Sequence, residues 1–239
     1  MNNLLVHYPD PFHFALMITH VFAGVIAPLA ATLALLVIKG AQAHRRLGQI
    51  FFWCNAYILV STIGLCLFRF SFFMLVLGSL SFYTAFTGYR VLSLKRPAQN
   101  QPDHPLAMDW VSAGVAFGLG LALVVASSAS LIWPTIDLGT FGAGPYLGIL
   151  FGTLLTVIAL GDWQRYRHPP TERNAWWMLH MRKMMGSYIA MLTAFFLNVV
   201  IRLVPPDLAR FLWLLPAAIL LPLTFGWIGQ YRRKFSAQA

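Results

Sequence analysis

Seven apolar stretches of membrane-spanning length follow one another along the chain, and the basic residues gather in every second gap between them. The stretches run at about 14–38, 47–68, 70–92, 110–133, 141–161, 178–203 and 211–231. Each is near the ~20 apolar residues needed to cross a ~30 Å hydrocarbon core. Backbone in lipid must satisfy its own hydrogen bonds, so the pattern predicts an all-α bundle of seven transmembrane helices. Hydrophobic residues make up 59% of the 239 and charged residues 10%, against roughly 45–50% and 25% in soluble domains. The longest gap, 93–109, is polar and proline-bearing, and too short to bury a core of its own. Residues 1–239 therefore read as a single membrane domain.

A net charge of +10 could suggest nucleic acid, so the placement of the cations decides. Lys39, Arg45, Arg46, Arg90, Lys95, Arg96, Arg165, Arg167, Arg173, Arg182, Lys183, Arg232, Arg233 and Lys234 all fall at ends that must share one side. Only Arg69, Arg202 and Arg210 fall at the other. That bias puts the basic side in the cytoplasm and the N-terminus outside, with the lipid bilayer as partner and no role for nucleic acid. In a bacterium the location is the inner membrane. Ala41-Gln42-Ala43 looks like a cleavage site, but no Lys or Arg precedes the first apolar run, which is also too long for a signal peptide. Its retention as a span is the expectation. Cys54 and Cys66 lie twelve residues apart on one span, more than three turns, and read as buried reduced thiols that cannot bridge each other.

Gly144, Gly148 and Gly152 form a small-residue ridge at i, i+4, i+8 that lets another helix approach closely, and Gly114 and Gly118 repeat it one span earlier. The fourth and fifth spans should then pair as a tight antiparallel hairpin through those faces. Phe68-Arg69-Phe70 implies a second hairpin between the second and third spans. Pro28, Pro216 and Pro222 are expected to kink their helices.

Polar residues at membrane depth are costly, so each is a candidate for function or for interhelical hydrogen bonding. Met184, Tyr188, Met191, Phe195, Asn198 and Arg202 follow steps of three and four, with His180 one turn earlier. Such a stripe should face the bundle interior. The bland reading is that Asn198 glues helices and Arg202 snorkels to headgroups. His20 lies in the outer third of the first span, with His13 two turns before it and Thr19 beside it. At the opposite face, His44-Arg45-Arg46-Leu47-Gly48 opens the second span and His180 opens the sixth. If those helix ends are neighbours, the two imidazoles form a joint site, which could hold haem but lacks the ligands zinc wants. Asp162 and Glu172 lie on the same side, and His7, His104 and His168 read as solvated loop residues. HExxH, Gly-x-Ser-x-Gly, phosphate-loop and Cys-x-x-Cys signatures are missing, as is the His/Asp pattern of seven-helix zinc hydrolases.

His20-Val21-Phe22-Ala23-Gly24 with His44-Arg45-Arg46-Leu47-Gly48, and His180 through Met184, Ser187 and Tyr188 to Arg202, resemble a widespread bacterial family of multi-helix membrane proteins of unassigned function. Its pattern has a histidine in the first helix, His-Arg-x-x-Gly opening the next, and a His-x-x-x-Met-x-x-Ser-Tyr helix ending in arginine. The resemblance implies no settled activity. It selects His20, His44, His180, Tyr188 and Arg202, and the polarity argument adds Asn198.

Two classes of function stay open at this stage. One is a redox-related protein that binds haem b or a quinone-like molecule among His, Tyr and Arg, although no span carries the histidine pair about 13–14 residues apart of a di-haem cytochrome. The other is a non-enzymatic carrier or binder of a small hydrophobic or anionic ligand, or an assembly partner acting as a homo-oligomer or beside another membrane protein.

Overall fold

Long apolar runs become helices here, carrying through interior glycines and through Pro28 and Pro222. The computed structural model describes residues 10–94, 105–133, 135, 145–170, 174–205 and 211–236. Seven long α-helices lie within them: α1 (Pro11–Leu36), α2 (Gln42–Cys66), α3 (Phe72–Arg90), α4 (Ala107–Ile132), α5 (Pro145–Arg167), α6 (Ala175–Asn198) and α7 (Leu215–Ser236). The first five are long and apolar enough to cross a membrane, α3 counted on through Ser93. Lys95, Arg96, His7, His104, Gly144, Glu172, Arg173 and Arg210, weighed above, lie outside the described residues.

Local chemistry sets the helix starts. Asp10 accepts from the Phe12 amide at 2.8 Å and Ser71 from the Met74 amide at 3.3 Å, each satisfying an otherwise orphaned N–H. Ser71→Ala is expected to cost about 1 kcal/mol, typical of a lost N-cap, and to lower the thermal midpoint in detergent; an unchanged midpoint would show that lipid-side solvent replaces the cap. Pro28 and Pro222 sit inside α1 and α7, whereas Pro216 occupies the first turn of α7. No helical hydrogen bond is lost at a first-turn proline, so the kink expected at Pro216 has no basis.

α3 is the hub. Of its apolar window 61% is buried, against 22–39% for the other four spanning candidates. On one side Phe73, Val76, Leu77 and Leu80 pack with Leu123, Leu147, Phe151 and Leu155 of α4 and α5. On the other, Ala85 belongs to a second buried cluster with Ala27 and Ala30 of α1, Phe51 of α2, and Met185, Tyr188 and Met191 of α6. The outer faces stay apolar and uncovered: Phe22, Leu29, Val111, Val125, Ile219 and Phe225 are all exposed. Apolar exposure around a whole bundle marks a surface solvated by lipid.

The tightest approach is between α4 and α5, as the glycine ridge suggested, but through a different face of α4. A Cβ on Gly148 would meet Ser127, and one on Gly152 would lie 2.7 Å from the Gly120 carbonyl and 3.0 Å from the Val124 amide. Around Gly114 and Gly118 there is nothing within 4 Å. The α4 partner face is therefore Gly120–Leu123–Val124–Ser127, and the expectation for Gly114 and Gly118 is corrected. Those two glycines share a spacing with the ridge and not its side of the helix.

Alternating helices bring one set of ends together. Arg90 at the end of α3 holds Asp109 at the start of α4, His44 at the start of α2 reaches Ala34 of α1, and Trp177 of α6 packs on Tyr231 of α7. We call this the basic end.

Candidate functional site

A cavity of about 230 Å³ opens at the basic end between α1, α2, α3 and α6. Its floor is buried and largely apolar: Ala31, Ala34, Phe51, Met185 and Tyr188. Arg45, Gln49 and Tyr89 form its exposed rim. His44 and His180 both line it, so the two helix starts that carry the histidines are neighbours around one space.

Each imidazole is oriented by a helix C-terminus. His44 Nδ1 lies 3.0 Å from the Ala34 carbonyl in the last turn of α1, and His180 Nδ1 lies 2.8 Å from the Gly88 carbonyl in the last turn of α3. A carbonyl only accepts, so both Nδ1 atoms carry a proton and donate it. In the neutral ring the basic lone pair is then at Nε2. Both contacts also satisfy carbonyls that a helix end leaves without an amide partner, the Ala34 carbonyl accepting from Lys39 Nζ as well at 3.2 Å. Structural capping and site chemistry thus coincide in the same two side chains.

The rest of the cavity follows from close packing. A Cβ on Gly88 would lie 2.9 Å from the Lys183 Cβ and 3.1 Å from the Met184 sulfur, so glycine at 88 brings α3 close enough to α6 for His180 to cap it. The Tyr188 hydroxyl lies 2.7 Å from Thr32 Oγ1, and Thr32 in turn donates to the Pro28 carbonyl. Tyr188 is thereby fixed at the floor with its ring against the cavity.

The remaining candidates stand elsewhere. His20 Nδ1 is 2.7 Å from Ser61 Oγ, a contact between α1 and α2 that lies roughly 21 Å along α1 from Ala34 at 1.5 Å per residue. Thr19 meets Tyr57 beside it, and His13 stacks on Phe68. Asn198 donates to its own helix at Ala194 and contacts the Met74 sulfur, roughly 27 Å along α6 from His180. Arg202 lies beyond the end of α6 in a 3-10 turn and is exposed, so it is not on the interior stripe. The stripe breaks where the helix does. Cys54 and Cys66 are free and half-buried rather than fully buried.

Sequence reading missed a second constellation at the same end. Asp162 of α5 accepts the Tyr83 hydroxyl at 2.6 Å and pairs with both Lys183 and Arg165. Asp162 is 2% exposed and Lys183 7%, so Lys183 is a buried charge and not one of the surface cations. Arg90 grips Asp109 through two 2.8 Å bonds, and Asp109 also accepts the Leu106 amide. The signal was available: Asp162 and Arg165 stand at i, i+3, and an acid bordering the end of a spanning run calls for a cationic partner. A third node, Asn55 of α2 donating to Ser81 and Ser187, ties three helices by buried hydrogen bonds. A lone Asn in an apolar run is the cue for such a node.

Among the described residues, no three His, Cys, Asp or Glu side chains gather as a metal site. No protein family model, curated protein or solved structure matches the chain.

Proposed function

We propose that this chain is a seven-helix protein of the bacterial inner membrane, its basic end in the cytoplasm, that binds a single quinone-like ring in the His44–His180 cavity. The membrane reading rests on the five spanning helices and the lipid-facing apolar surfaces. Packing of α6 against α1 and α3 carries the sixth crossing with them, and the charge bias gives the orientation. The motif resemblance points at the same two helix starts.

The observation that carries the ligand is the pairing of two oriented imidazoles with an apolar floor in one cavity. A neutral ring whose Nδ1 is committed to a carbonyl accepts a quinol hydroxyl at Nε2, and the protonated ring donates to a quinone carbonyl. Ring-to-ring contact with Tyr188, Phe51 and Tyr89 suits a flat apolar body. At about 230 Å³ the space is below the ~300–1,000 Å³ of drug-sized sites, which suits one substituted ring. A haem macrocycle needs a larger slot, although the carbonyl-anchored imidazoles are what axial ligands require.

The test uses the full chain in mild detergent. The absorption spectrum is expected to be colourless before and after dithionite, and equilibrium dialysis is expected to show duroquinone bound at one per chain. His44→Ala and His180→Ala should each weaken that binding about tenfold, the order of one lost hydrogen bond. A stoichiometric Soret band with reducible α and β bands would replace the quinone reading with a haem held by His44 and His180. No duroquinone binding in a colourless, well-folded preparation would overturn both.

A further inference from the structure

We propose that the natural ligand of this cavity is an aromatic acid, its ring against the buried floor and its carboxylate on the guanidinium of Arg45 at the rim. This rests on the cavity being the binding site proposed above and names the class of molecule it takes. The polar side chains of the lining are His44, Arg45, Gln49, Tyr89, His180 and Tyr188. No carboxylate is among them, so every charge the lining can present is positive.

The nearby acids are already committed. Asp109 is held by Arg90, and Asp162 by Lys183 and Arg165. Arg45 takes part in no ion pair among the described residues. It stands on the first turn of α2 next to His44, where the chain turns in from the loop. A cation there is at the helix end whose dipole disfavours it, and no ion pair among the described residues offsets that cost. An oxyanion supplied by a ligand would counter both the charge and the dipole, and a guanidinium offers the fork of donors that a carboxylate matches in two parallel bonds.

Beside an apolar floor such a pair is screened less than in bulk water. A neutral quinone leaves Arg45 unanswered. An aromatic acid uses the floor, the imidazoles and the rim at once.

The experiment compares gentisate, a hydroquinone ring bearing a carboxylate, with hydroquinone itself, by equilibrium dialysis against the full chain in a neutral detergent. Gentisate is expected to bind about tenfold tighter, and Arg45→Gln to bring its affinity down to that of hydroquinone, with Arg45→Lys between. Equal affinity of the two rings for the native chain, or a preference that survives Arg45→Gln, would overturn the aromatic acid while leaving the ring site standing. Binding of neither ring would overturn the site and this assignment together. Loss of the preference on adding phosphatidylglycerol to the micelles would assign Arg45 to lipid phosphate and also overturn it.

Discussion

Asp162→Ala is expected to be the most damaging single substitution in the bundle, lowering stability by about 3–5 kcal/mol, the usual consequence of removing one partner from a buried ion pair. The carboxylate answers two cations and a phenol from three helices, Tyr83 on α3, Arg165 on α5 and Lys183 on α6. Its loss leaves Lys183, 7% exposed, facing Arg165 with no anion between them. Lys183→Met should be markedly milder, because Arg165 and Tyr83 still satisfy Asp162 and the methionine can fill the lysine stem's space. Lys183 also lies 5.2 Å from the centre of the Tyr83 ring, and the methionine forfeits this cation–π contact together with the Asp162 pair. Thermal midpoints and the monodisperse fraction after detergent extraction give the order. A midpoint for Asp162→Ala equal to that of Lys183→Met would mean that the carboxylate is not the centre of the cluster.

The second large effect is expected at the α4–α5 crossing. Gly152→Ala places a methyl against the Gly120 carbonyl and the Val124 amide, and Gly120→Ala places one 2.8 Å from both the Gly152 carbonyl and the Thr156 amide. These are backbone atoms, so no rotamer change relieves the clash and the helices must separate. Overpacking of this kind typically costs about 1–3 kcal/mol, and membrane helices lose dispersion contacts along the whole seam when they part. Gly114→Ala and Gly118→Ala, which meet nothing within 4 Å, serve as controls and should be neutral or slightly stabilising through helix propensity. Equal destabilisation at 114 and 152 would return the crossing to the face that the spacing alone suggested.

That pair of glycine sets shows where sequence reading stops. Small-xxx-small marks a face able to approach another helix, but which face does so is decided by the partner, and Gly120 with Ser127 supplies the complementary surface without matching the repeat. The all-α architecture was legible because hydropathy reports burial in lipid directly, and the helices begin and end within a few residues of the apolar runs. The neighbourhood of His44 and His180 could be posed as a question, since both open helices at the basic end; only the packing of α2 and α6 around α3 answers it. The ends of α6 were the weak point. A steady three-four spacing carried Asn198 and Arg202 onto the stripe of Tyr188, yet the helix stops at Asn198 and the turn after it sends Arg202 outward. Asp162 and Lys183 could be placed at the basic side but not paired from sequence, and it is their pairing in three dimensions that lets both go inside.

The central claim is that the space between His44 and His180 is where this protein meets its ligand, and photoaffinity labelling tests it most directly. An azido-substituted single-ring quinone, illuminated with the native full chain in detergent and mapped by peptide mass spectrometry, is expected to label the segments around 44–51 and 180–188. Excess unlabelled duroquinone should remove that label. Labelling centred instead on the His20–Ser61 contact or spread over the lipid-facing surfaces of α1 and α4, and unaffected by duroquinone, would contradict the account.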